Sequence, residues 1–436
     1  MRMKNHSKEF CKLTFLSLNI NLDEVPLEHL DHYIAVENLL TDEDEVPSNA
    51  DNLEKVRPYI ESLHHLCKVQ AWKPVKSILD VPVSINTSKV NFALPFVEYL
   101  LFKSQFKILI EISDNIITSF YEGEIDLSPI KILKARALSI SGVLSEAISI
   151  YEELLMTSLD AEIYLETNAR LAISKVQLGN YQEGIPKLKE SLKQIDYLLA
   201  TNLNNLNQLN FFVLKAELLS SLAGYNMNLG RLDDASILYS EALTILQHKN
   251  IVHKIINILV HQGIILRKKL CITESIVSLE KAKFMAIEFQ NERALLWINH
   301  HLAWSFRLQD KYQEAEESCL RSLEGYQKIN DERGTFDSYE LLGWICLDKG
   351  KLNEAIQNFE IAQNWKEANG YIVGTASCVI GLAVTYQRRG KFLKSIQALL
   401  KGLNFYHKAG ILNLSRLNKV LHLVCPFHKK LLNEQT

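Results

Sequence analysis

The stretch Gly350-Lys351-Leu352-Asn353-Glu354-Ala355 decides the fold, because the chain writes it again at fixed distances. Asp310-Lys311-Tyr312-Gln313-Glu314-Ala315 precedes it, and Gly390-Lys391-Phe392-Leu393-Lys394-Ser395 follows it at the same spacing. The equivalent first residue recurs earlier at Leu270, Gly230, Gly179 and Gly142, so the spacing is irregular up to Gly230 and constant from there to Gly390. A repeat of a few tens of residues means stacked structural units, each burying its apolar face against the next.

One size rule surrounds every such turn. Five residues after it the side chain is small, at Ala147, Gly184, Ala235, Ser275, Ala315, Ala355 and Ser395, and seven residues before it the same holds, at Ala135, Ala172, Ala223, Gly263, Ala303, Gly343 and Ala383. Two antiparallel helices approach closely only where small residues meet, so these positions predict the crossing point of a helical hairpin. Large knobs follow two residues after the turn, at Leu144, Tyr181, Leu232, Ile272, Tyr312, Leu352 and Phe392. The Gly at the turn is the expected left-handed cap of the first helix. An acid stands four residues later in six of the seven units (Glu146, Glu183, Asp234, Glu274, Glu314, Glu354), where it suits the dipole of the second helix.

These residues resemble the tetratricopeptide repeat, with its small residue in helix A, Gly-x-Tyr turn and Glu-Ala opening helix B. The match covers Ser128 to His407. The 40-residue step resembles the lengthened repeats of kinesin light chain and of MalT-like sensor arrays. The resemblance implies an all-α, right-handed superhelical solenoid of antiparallel helix pairs. Leu270 and Asp310 depart from the pattern by replacing the turn Gly, and the longer step from Gly179 to Gly230 calls for an extra turn or loop around Leu199 to Gln208.

The chain divides on this reading into an N-terminal segment with an acidic linker (1–53), degenerate helical hairpins (54–127), seven repeats (128–407) and a C-terminal capping helix (408–436). Asp42-Glu43-Asp44-Glu45 with Pro47 and Asn49 reads as a solvated loop. Leu63 to Leu79, with Trp72 in the Tyr position, reads as one more hairpin, and Tyr99 to Tyr121 as another. This part is similar to the helical segment before the repeats of bacterial STAND signalling ATPases. The phosphate-cradling G-x-x-x-x-G-K-[ST] of such ATPases does not occur in the sequence.

Composition narrows the function. A hydrophobic content of 47% supports a buried core, while 17 Gly and 9 Pro in 436 residues suit long helices. The 48 basic and 51 acidic residues leave a formal charge of −3, which gives no general field toward nucleic acid or an anionic membrane. Seven scattered cysteines with no C-x-x-C pair fit neither a disulfide framework nor a zinc ribbon and point to a reducing, cytoplasmic setting. His64-His65, His300-His301 and His422 with Cys425 and His428 lack metal-ligand spacing, and no H-E-x-x-H, G-x-S-x-G, Rossmann or kinase signature occurs. The expectation is therefore a non-enzyme without metal or cofactor.

In the tetratricopeptide fold helix A lines the concave groove, through the thirteenth, tenth, sixth, third and second positions before each turn. That resemblance assigns to the groove Arg267 and Lys268, then Trp297, His300, Trp304 and Arg307, then Asp337, Glu340 and Trp344, and finally Gln387 and Arg388. Trp and Arg dominate many binding sites, since each buries a large area while offering a donor or a cation. The partner-binding residues expected are Arg267, Lys268, Trp297, His300, Trp304, Arg307, Trp344 and Arg388, around a protein or peptide with acidic and apolar side chains. Packing between hairpins competes with this role for the Trp residues, and a solvated face competes for the cations. The Asn of the family's carboxylate clamp is not kept, so chaperone C-termini are not the expected ligand. The functional expectation is a scaffold or adaptor; the alternative is a peptide- or small-molecule-sensing receptor of bacterial signalling. The apolar ends of an open array leave room for a homo-oligomer.

Overall fold

The structure, a computed structural model, describes residues 15–41, 53–86, 91–121, 125–157, 159–201, 208–249 and 251–424. The start of the N-terminal segment, the acidic linker and the end of the capping segment lie outside the described residues. Two compact units are present: residues 1–138 with Glu288–Asn291, and Ser139–Ile287 with Glu292–Thr436.

The first unit contains α1 (Leu27–Thr41), α2 (Arg57–Lys68), α3 (Trp72–Leu79), strands β1 (Pro82–Asn86) and β2 (Asn91–Pro95), α4 (Phe96–Phe102) and α5 (Phe106–Ser119). Helices α2 and α3 meet at Gln70 (φ 50°) and α4 and α5 at Ser104 (φ 61°), both residues left-handed. Trp72 stands edge-on to Phe120, at 5.4 Å between ring centres. Between the two helix pairs lies an antiparallel ribbon, Pro82 pairing with Pro95 and Asn86 with Asn91. Helical spacing does not reveal it. Its signal is the alternation Val81, Val83, Ile85, all buried, with Ser84 exposed.

In the second unit the chain runs as hairpins. Helix α6 (Ser128–Ser141) spans the junction of the two units, and is followed by α7 (Leu144–Leu155), α8 (Ala161–Leu178), α9 (Tyr181–Ala200), α10 (Gln208–Leu229) and α11 (Leu232–His248). Then come α12 (Val252–Lys268), α13 (Ile272–Glu288), α14 (Glu292–Arg307), α15 (Tyr312–Lys328), α16 (Glu332–Asp348), α17 (Leu352–Ala368), α18 (Ile372–Arg388), α19 (Phe392–Lys408) and α20 (Leu414–Val424). The long step from Gly179 to Gly230 is absorbed partly by the lengths of α9 and α10, 20 and 22 residues against the 17 of most later helices.

The small residues sit where the hairpins cross. Ser275 Oγ donates to the Gly263 carbonyl at 2.8 Å and Ser395 Oγ to that of Ala383 at 2.7 Å, in each case joining the position five after the turn to the position seven before it. A Cβ on Gly343 would lie 2.7 Å from the ring of Phe359, and one on Gly381 2.5 Å from the same buried ring. Helix ends follow a second rhythm. From Leu270 onward a left-handed residue occurs at every twentieth position: Leu270, Gln290, Asp310, Asn330, Gly350, Gly370, Gly390 and Gly410. At the Gly350 turn the Gly350 N–H donates to Leu347 O (3.1 Å) and the Lys351 N–H to Cys346 O (2.9 Å), the paired bonds of a Schellman cap.

The early turns of this unit are held by residues far along the chain. Carbonyls at the ends of α6 and α10, which have no partner in their own helices, accept instead from Arg293 Nη2 (Ile140 O, 3.2 Å), Tyr371 Oη (Gly142 O, 2.7 Å) and Arg416 Nη2 (Asn228 O). A Cβ on Gly142 would meet Arg333 Cβ at 2.7 Å. The array thus returns upon itself, with later hairpins seated on the turns of the first. At its end Val420 and Val424 of α20 join the core of Trp344, Phe359, Ile380 and Leu399.

Leu270 is 80% exposed and left-handed (φ 64°), a conformation costing a non-Gly residue about 1–2 kcal/mol. Leu270→Gly loses little burial and should raise stability by about 0.5–1 kcal/mol after the entropy cost of Gly, read from the midpoint of urea unfolding. Gly343→Val should lower it by about 2 kcal/mol through overpacking against Phe359; an unchanged midpoint would refute the crossing geometry.

Candidate functional site

A continuous chain of rings and cations crosses the A helices α12, α14 and α16. It begins on α11, where Tyr239 stacks on His261 at 4.6 Å between centres. His261 meets the edge of Trp297 (4.9 Å), and Trp297 lies beside His301 (5.5 Å). His301 neighbours His300 (5.2 Å), whose Nε2 accepts from Trp304 Nε1 at 3.2 Å. The guanidinium groups of Arg267 and Arg307 lie 5.8 and 5.2 Å from the Trp304 ring centre, and Arg307 is also 5.1 Å from Trp344. Trp344 ends the chain edge-on to Phe359 (5.2 Å). Cation–π contacts of this kind contribute roughly 0.5–2 kcal/mol each, more as water is excluded.

The residues expected in the groove divide by accessibility. Trp344 and His300 are buried and belong to the wall. Trp297, Trp304, Arg267 and Arg307 are half-buried, while Lys268 and Arg388 are exposed. Arg307 Nε donates to Asp348 at 2.7 Å, Arg388 Nη1 donates to the Leu347 carbonyl at 2.9 Å, and Arg388 lies 3.9 Å from the same Asp348. Arg267 Nη1 donates to the His301 carbonyl at 3.0 Å. Asp337 and Glu340 are engaged elsewhere. The buried Lys366 ammonium is 2.6 Å from each, and Ser377 Oγ donates to Glu340, so these carboxylates tie α16 to α17 and α18. Desolvation works against the Lys366 charge, but the two carboxylates hold it protonated well above the ordinary lysine value.

Positive charge is concentrated around Lys268. Its tip reaches solvent while the surrounding protein, then Arg267, Arg416 and Lys419, lower its ammonium below the ordinary lysine value. These like charges make the Lys268 ammonium costlier, and an anion placed beside it would relieve that cost. Open hydrogen-bonding capacity lies within the ring chain. Among the described residues, Tyr239 Oη, His261 Nδ1 and His300 Nδ1 are buried without a hydrogen-bond partner. Unpaired polar atoms in such surroundings cost about 1–3 kcal/mol apiece, which a ligand or water with a complementary group would recover.

Tyr239, His261, His301, Asp348, Arg416 and Lys419 are not among the residues expected from the sequence. His261 and His301 stand nine residues before their turns, a position outside those used above, and their recurrence at that one position is the signal that would have marked them.

Burial lowers His300 to about 4 and His261 to about 3. Both lie below the unfolded value of about 6.5, so the unfolded chain takes up protons first. The stability these residues contribute is full above pH 6.5 and is lost as pH falls toward 4, by about 1.4 kcal/mol per pH unit for each. Urea midpoints measured from pH 7 to pH 5 should fall, and His261→Phe, which keeps the stack on Tyr239, should remove about one such increment of slope.

Residues 293–368, which span the central hairpins of this site, match the tetratricopeptide-repeat family. The Rap conjugation gene regulator of plasmid pLS20, solved in complex with the Phr* peptide, is similar at 13% identity over 85% of this chain and 96% of that one, with a TM-score of 0.50. Aspartyl phosphate phosphatase F of Bacillus subtilis is similar at 14% identity over 93% and 95%, with a TM-score of 0.46. A STAND protein with a tetratricopeptide-repeat sensor from Pyrococcus horikoshii is similar at 12% identity over 97% and 74%, with a TM-score of 0.44. No curated protein matches in sequence. At these identities the likeness speaks to the fold alone: the ring and cation chain lies in a solenoid of helical hairpins, of which residues 293–368 match the tetratricopeptide repeat.

Proposed function

We propose that the chain is a binding scaffold that holds a peptide or protein segment with acidic and apolar side chains along the A-helix face. The observation that carries this reading is the ring and cation chain from Tyr239 to Trp344, bordered by Arg267, Lys268, Arg416 and Lys419. Half-buried Trp297 and Trp304 offer apolar surface, and the exposed cations offer charge-assisted hydrogen bonds to carboxylates. Among the described residues no helix is long and apolar enough to cross a membrane, and no group of His, Cys, Asp and Glu is placed to hold a metal ion.

The long-range turn contacts favour a second reading. Tyr371 to Gly142 and Arg416 to Asn228 join hairpins far apart in the chain, so a ligand that altered the pitch of the array would have to make or break them. A receptor that couples ligand binding to this closure is therefore the alternative.

The test is a pull-down from native lysate with the wild type beside a Lys268→Glu, Arg388→Glu variant. Both side chains are exposed, but Arg388 gives up its hydrogen bond to the Leu347 carbonyl, so the comparison is made once circular dichroism and the melting temperature show the variant folded. The wild type should capture a partner whose recovery falls at least about tenfold in the variant and weakens with salt. Equal capture by both would remove the A-helix face as the binding site.

A further inference from the structure

The C-terminal helix α20 (Leu414–Val424) lies in a part of the chain that carries no acid. No Asp or Glu occurs between Glu367 and Glu434, so its cations Arg416 and Lys419 have no carboxylate of their own segment to answer them. Asn413 opens the helix as its cap, the side-chain Oδ1 accepting the Arg416 N–H at 2.8 Å. From there the helix departs from the path of the array. The A helices α16 and α18 each pack chiefly on the B helix before them, whereas α20 packs more on the A helix α18 than on the B helix α19.

Its anchors fall at both ends. Val420 and Val424, its buried side chains, join the cluster of Trp344 and Val384, which both stand six residues before their turns. At the start of the helix, Asn413 Nδ2 donates to the Leu229 carbonyl at 3.5 Å and Arg416 Nη2 to that of Asn228, both at the end of α10. Arg416 also lies over the Tyr406 ring at 4.6 Å. The helix thus bridges the last A helices and the end of α10. Its hold is light. A helix of 11 residues is marginal in water by itself, and Leu414 and Leu423 are 73% and 50% exposed.

Charge works against that hold. Arg416 and Lys419 both act on Lys268 at the end of α12, and Lys268 and Lys419 are exposed, without a carboxylate in ion-pair reach among the described residues. A carboxylate between two ammonium groups turns their repulsion into two attractions. We infer that α20 is a strap beside the A-helix face, loosened by the like charge of Lys268 and Lys419 and drawn closed by an acidic segment of the partner lying between them. The inference rests on the reading of that face as the binding surface and adds its regulation.

The experiment follows amide exchange of Leu414–Val424 by mass spectrometry in the full chain, with α18 as internal reference. Because so short a helix keeps little structure once undocked, exchange there reports the docking of the strap. Raising salt from about 0.02 M to about 0.5 M screens the repulsion and should slow this exchange at least about threefold, as should Lys268→Glu at low salt. A short synthetic peptide of Glu and Leu should bind, read by fluorescence anisotropy, and at saturation should slow the exchange at least about tenfold. Val420→Ser with Val424→Ser should free α20 and weaken that peptide at least about fivefold. Should this variant not fold, the salt and Lys268→Glu arms still decide. The inference is overturned if α20 exchange ignores salt and Lys268→Glu, or quickens with either. A peptide that binds while α20 exchange stays unchanged overturns the strap and leaves the binding surface standing. A peptide that does not bind removes the acidic partner of that surface and the strap together.

Discussion

The close crossing of two helices over a small residue is the constraint from which the rest of the array follows. Where Ser275 reaches the Gly263 carbonyl, or Phe359 fills the space left by Gly343 and Gly381, no larger side chain fits without displacing a helix. Keeping that crossing in phase requires helices of constant length, and constant length requires a turn at every twentieth residue. The packing is strong enough to hold Leu270, Gln290, Asp310 and Asn330 in a left-handed conformation that suits Gly better.

The same repetition sets side chains of neighbouring A helices beside one another. Position by position, Arg267 and Arg307 flank Trp304, and Arg307 reaches both Trp344 and Asp348. A surface built this way is ordered in advance, because each ring is already fixed by its neighbours and little side-chain freedom would be lost on binding. The charge is uneven for the same reason. Lys366 lies between Asp337 and Glu340 within the wall, with Arg333 also beside Asp337, while Arg267, Arg416 and Lys419 are the cations that act on Lys268.

Much of this is legible in the sequence. The crossing residues can be found because size is demanded at fixed positions in every unit, and the A-helix face follows once helices are phased to the turns. The ribbon Pro82–Asn86 with Asn91–Pro95 escapes such a reading, since five-residue strands leave too short an alternation beside a helical repeat. His261 and His301 escape it because their position turns about 100° from the neighbouring one counted as groove-lining. Asp348 and Lys366 cannot be assigned, because their roles depend on which cation or carboxylate the adjacent hairpin brings within hydrogen-bonding reach, and the sequence alone carries no such distance.

Site-specific photo-cross-linking to a captured partner tests the central claim most directly. A photoreactive residue is placed at position 268 or 388 on the A-helix face, and in control chains at position 237 or 277, where exposed Ile237 and Val277 lie on B helices. The account predicts cross-links from positions 268 and 388 to a segment of the partner rich in acidic and apolar residues, with none from 237 or 277. Cross-links confined to the B-helix positions would contradict it.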